Sequence, residues 1–124
     1  MRLSRAKFAA LVVRALETIP EPIRARMENV DVVVEDWPTD EQDAALDLGP
    51  GDLLFGLYEG TPLIERGITA NPLLPDKITI FQGPLEAAGG TEEEIAEEIR
   101  RTVIHEVAHH FGLDEKRLEE LGYE

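Results

Sequence analysis

The sequence predicts one domain in which helices near both ends pack against a small β-sheet, and three observations carry that prediction. Phe8, Leu11, Val12, Ala15, Leu16 and Ile19 recur at the i, i+3, i+4, i+7 spacing of an amphipathic helix. Ile95, Ala96, Ile99, Val103, Ile104, Val107 and Phe111 occupy one half of a second helical wheel. Between them, VDVVVE, LLFGLY and KITIF are short, rich in β-branched and aromatic residues, and bounded by turn formers, as strands are. With 124 residues the chain can bury one core without crosslinks, so residues 1–124 are read as a single domain.

The first helix should run from Ser4 to Thr18, stopped by Pro20 and Pro22, with a short second helix from Ile23 to Asn29. Val30 to Glu35 is the first strand. The acidic stretch that follows, DWPTDEQDAALDLGPGD, is broken by Pro38, Pro50 and Gly51 and reads as a loop, and its acids lack the spacing of a calcium-binding EF-hand. Leu53 to Tyr58 and Lys77 to Phe81 are the next strands, separated by too long an excursion for a tight hairpin. In the last of them Ile78 and Ile80 share one face, Thr79 and Phe81 the other, and Pro84 ends it. After Gly89 and Gly90, Thr91 and Glu94 form the signature of a capping box that opens the long helix. Glu92, Glu93 and Glu94 fill its first turn, where the helix dipole favours acids.

Composition narrows the function. The 26 acidic against 12 basic residues give a formal charge of −14, which repels phosphate backbones and anionic lipid, so neither nucleic acid nor membrane is an expected partner. No run of about 20 apolar residues exists, and Arg14 and Glu17 interrupt the apolar N-terminal stretch, which therefore does not read as a signal peptide; a cytoplasmic location is expected. Cysteine is absent, which leaves histidine, carboxylate or carbonyl oxygen as metal donors. Nothing in the sequence sets the oligomeric state, a homodimer included.

All three histidines fall within HEVAHHFGLDE, residues 105 to 115. On a helix, His105 and His109 are one turn apart on one face, away from the apolar half, and can converge on a single zinc ion. Glu106 then stands beside the metal, where its carboxylate can act as general base on a water. Gly112 can adopt a left-handed conformation, stop the helix and turn the chain back, bringing Asp114 or Glu115 within reach as a third ligand. Asp114 is equally suited to cap a terminal helix from Glu115 to Leu121. His110 falls on the apolar half of the wheel, where a core histidine satisfied by a backbone carbonyl is expected and a role in the site is the alternative.

The order H-E-x-x-H-x-x-G from His105 to Gly112, together with LLFGLYEGTPLIERG and LPDKITIFQGP, resembles the short bacterial zincin-like peptidases sometimes described as mini-zincins. The resemblance covers most of residues 28 to 124. It implies an α+β fold in which an edge strand over the zinc-binding helix holds an extended peptide by strand addition. Here that strand would be Lys77 to Gln82, with Ile78, Ile80 and Gln82 as substrate contacts. The family pattern places an aspartate ten residues after the first histidine as third ligand; this chain has Glu115 there and Asp114 one position earlier, and register favours Glu115. The methionine turn of larger relatives is missing, since Met1 and Met27 both precede the motif. Tyr123 could support the site from the C-terminus, and Tyr58, Tyr123 and His110 are the candidates to steady an oxyanion.

The expected function is a zinc-dependent peptidase with one zinc ion per chain held by His105, His109 and Glu115, Glu106 as base, and a peptide or protein as substrate. The alternative is a binding module that keeps the scaffold without catalysis, with zinc absent or structural. Zinc requires both imidazoles neutral, so its binding should weaken as pH falls.

Overall fold

The computed structural model describes residues 3–45, 53–60, 76–113 and 116. Helix α1 (Arg5–Glu17) is followed by a short α2 (Glu21–Arg24) that passes into a 3₁₀ turn (Ala25–Met27), strand β1 (Val30–Glu35) and helix α3 (Asp40–Ala45). Strands β2 (Gly56–Glu59) and β3 (Asp76–Phe81) come next, then helices α4 (Gln82–Ala88) and α5 (Glu92–His110). The expected α+β class holds.

Side-chain caps fix the two long helices. Ser4 Oγ accepts from the Lys7 N–H at 3.1 Å to open α1. For α5, Thr91 Oγ1 accepts from the Glu94 N–H at 3.1 Å while Glu94 Oε1 accepts from the Thr91 N–H at 2.9 Å, completing the predicted capping box. At the other end of α5, Gly112 has φ of +72°, and the Leu113 N–H returns to the Ala108 carbonyl at 2.7 Å, so the anticipated glycine stop is present as a Schellman turn.

Two helices replace predicted coil, each for a local reason. In α3, Thr39 Oγ1 accepts from the Gln42 N–H and Gln42 Oε1 accepts from the Thr39 N–H, a second capping box inside the acidic stretch. In α4, Pro84 was expected only to end the strand, but β3 already stops at Phe81 and Pro84 lies in the first turn of a helix, where its missing N–H costs nothing. The second helix likewise starts earlier than predicted, at Glu21, because Pro22 suits a first turn.

Strand β3 lies between β1, to which it is parallel, and β2, to which it is antiparallel. This corrects the expectation that residues 77–82 form the edge strand: among the described residues the edge beside α5 is β2. Ile78 and Ile80 on one face and Thr79 and Phe81 on the other are all fully buried, as a central strand requires. Gln82 begins α4, and its side chain donates to the Leu3 carbonyl and to Glu86, so it too is turned away from any edge. Ile78 and Ile80 join Phe8, Leu11, Ile23, Ile95, Ile99, Val103 and Val107 in one core, with α1 laid along α5. Phe8 is completely buried there. Phe8→Ala is expected to cost about 3–5 kcal/mol, seen as a lower urea midpoint with an unchanged slope.

Candidate functional site

The stripe of α5 that meets β2 is Thr102, Glu106 and His110, one turn apart. Facing it on β2 and its end is a stripe of Gly56, Tyr58 and Gly60, two residues apart. The spacings are commensurate: four helical residues rise about 6 Å and two strand residues about 6.7 Å. The members mesh pairwise. A Cβ at Gly56 would lie 2.6 Å from Thr102 Cγ2, so only glycine lets the strand sit this close to the helix. The Tyr58 N–H donates to Glu106 Oε1 at 2.9 Å, and the Tyr58 ring stacks on His110 at 3.9 Å between centroids with 20° between planes. A Cβ at Gly60 would approach His110 Cε1 to 3.0 Å.

Gly56→Ala is accordingly expected to push β2 from α5 and to destabilise the fold by about 1–3 kcal/mol. Adding Thr102→Ser, which removes the obstructing methyl but keeps the hydroxyl bonded to the Glu98 carbonyl, should recover much of that loss in a double-mutant cycle.

The ladder geometry explains why a β2 amide is available to Glu106. The Phe81 N–H donates to the Phe55 carbonyl, which makes 55·81 a hydrogen-bonded pair; alternation then turns the N–H groups of Gly56 and Tyr58 away from β3. Glu106 Oε2 accepts no hydrogen bond from the described residues, so one carboxylate oxygen is anchored and the other is not engaged by them.

His105 and His109 are exposed, and among the described residues their side chains have no hydrogen-bond or ion-pair partner. Glu106 is partly buried between them and the strand. His110 departs from the expectation of a core histidine: its side chain is 38% exposed, and it packs on Tyr58 with the edge of Phe111 against it at 5.0 Å. Phe111, placed by the helical wheel on the apolar half, is the C-cap of α5 and is itself exposed.

The Tyr58 hydroxyl donates to Asp76 Oδ2 at 2.6 Å, and His110 Nε2 lies 3.8 Å from the same oxygen. The phenol is thereby engaged by a carboxylate instead of being aimed at a substrate carbonyl. Sequence reasoning named Tyr58 without its geometry and missed Gly56, Thr102 and Asp76 altogether. The signal was present in GLYEG, small-x-aromatic-x-small at strand period, set against T-x-x-x-E-x-x-x-H at helix period.

The described donors fit part of a zinc site: two imidazoles one turn apart, accessible and without competing partners, in a chain with no cysteine. Among the described residues no third acid or histidine gathers with them. Asp114, Glu115 and Tyr123 lie outside the described residues, as does all of the predicted terminal helix except Lys116, which is helical. Among the described residues no helix is long and apolar enough to cross a membrane.

Comparison with known proteins bears on both fold and site. The model of the family described as zincin-like metallopeptidase matches residues 27–123. A solved structure of a conserved hypothetical protein from Thermo thermophilus superposes with a TM-score of 0.54 at 22% identity, covering 96% of this chain and 97% of that one, which supports the fold. No curated protein matches.

Proposed function

The chain belongs to the zincin-like metallopeptidase family, and on that premise we propose that it is a zinc-dependent peptidase with Glu106 as its general base. His105 and His109 would hold the metal, with Glu115, or Asp114 in its place, as third ligand. Zinc, when bound, supplies a Lewis acid that polarises the scissile carbonyl and makes a water acidic at neutral pH.

The protein's own part is positional. The Tyr58 N–H fixes the Glu106 carboxylate through Oε1, leaving Oε2 to take a proton from the attacking water and to return it to the leaving amine. An extended peptide would lie across the α5 face that carries His105 and His109, beside Glu106, because the outward Tyr58 N–H of β2 is already taken by Glu106 and residues 78–81 are buried in the centre of the sheet. The anchored Glu106 carboxylate is the observation that carries the reading, since it fixes a base on the same helix as the two exposed imidazoles, one residue from the first and three from the second. The experiment is cleavage of a peptide library by zinc-loaded protein, with Glu106→Gln as the comparison.

The silent binding module remains the second reading, favoured by the departure from the family's aspartate and by the missing methionine turn. Zinc binding without cleavage of any peptide in the library would select it.

A further inference from the structure

We propose that His110, Tyr58 and Asp76 form a latch that positions Glu106, which makes them positioning residues for the reaction and neither metal ligands nor contacts to the peptide. The inference rests on Glu106 as the general base. Tyr58 meets α5 at two points: its main-chain N–H reaches Glu106 and its ring covers His110, one turn further along the same face. One strand residue therefore sets both the height and the rotation of the helix against β2.

The ring is itself held. Asp76, diagonal to Tyr58 on the same face of the sheet, accepts the phenol proton at 2.6 Å, and its own N–H is tied to the Asn29 carbonyl at 3.0 Å. The imidazole of His110 lies near the same carboxylate oxygen, and Phe111 closes the group edge-on against both rings. Strand β2 spans four residues and pairs only with β3 among the described residues. Such a strand has little of its own to fix how far its outer N–H stands from the helix; Gly56 on Thr102 sets that distance on one side of Tyr58, and on the other it is set by the stacking of Tyr58 on His110. Without it, the Glu106 side chain regains its other rotamers, and the carboxylate is no longer held at one place beside the metal-binding face.

The test uses the full chain and reads the latch apart from catalysis. In the zinc-free protein the Tyr58 amide proton, bonded to a carboxylate, should resonate downfield in a ¹⁵N–¹H correlation spectrum, and Glu106→Gln should move it upfield because a neutral acceptor bonds more weakly. His110→Ala should shift it in the same direction, Tyr58→Phe by less, and His110→Phe, which keeps a ring on Tyr58, should hold it. The dispersion of the same spectra shows that each variant is folded. In zinc-loaded enzyme His110→Ala should lower kcat by on the order of tenfold to 100-fold, with KM and zinc content little changed. A Tyr58 amide that stays in place in both His110→Ala and Tyr58→Phe overturns the latch whatever the peptidase assay gives. An amide that moves as expected in a protein that cleaves nothing keeps the latch and removes the peptidase reading instead.

Discussion

Glu106→Gln is expected to keep zinc binding intact and to reduce peptide cleavage by about 10²–10⁴-fold, the usual contribution of a positioned general base. The substitution is informative because of how the side chain is held. The amide oxygen of glutamine can accept the Tyr58 N–H as Oε1 does now, so the strand and helix keep their spacing. What changes is the other position, where an NH₂ replaces the oxygen that would accept a proton. Loss of rate with unchanged zinc content, unchanged KM and an unchanged urea midpoint would isolate proton transfer as the missing step; a rate loss of 10²–10⁴ corresponds to about 3–5 kcal/mol in the barrier. Cleavage that persists at the wild-type rate would reject Glu106 as the base and with it the proposed mechanism.

How much of this was legible in sequence depended on whether the signal was local. The capping box of Thr91 and Glu94, the left-handed Gly112 and the exposed faces of His105 and His109 are written within a few residues, and each is where it was expected. The position of β3 was not, because strand order depends on which segments pair across tens of residues, and K-I-T-I-F fits a one-sided edge as well as a buried centre. The edge assignment came from the resemblance, whereas the branched side chain of Thr79, fully buried here, suits a central strand. His110 was misplaced for a related reason. A helical wheel locates a side chain relative to the apolar half of its own helix, but the Tyr58 ring that receives His110 belongs to another element.

The missed helix α3 teaches the complementary lesson. Proline and acid-rich composition outweighed a four-residue signal, T-D-E-Q, in which Thr39 and Gln42 satisfy each other's backbone groups. Capping is a stronger indicator than composition because it names the donors that a helix start would otherwise leave unsatisfied. The same logic extends to the site: the Tyr58 N–H is an outward strand amide, and Glu106 is the group that satisfies it.

His109→Ala is expected to abolish stoichiometric zinc binding, taking elemental analysis of chelated and reloaded protein from about one ion per chain to none. The ring is exposed and has no partner among the described residues, so its removal opens no core cavity and should leave the urea midpoint within about 0.5 kcal/mol of the wild type in zinc-free protein. This separates loss of a ligand from loss of the fold, which a buried histidine would not allow. His110→Ala, one residue along, provides the contrast: its ring lies on Tyr58 and away from the His105 and His109 pair, so zinc content should survive that substitution. Acidification should reproduce the His109→Ala result reversibly, because each imidazole must surrender its proton before it can ligate. Zinc retained equally by wild type and His109→Ala would place the metal elsewhere and leave the binding-module reading in possession of the scaffold.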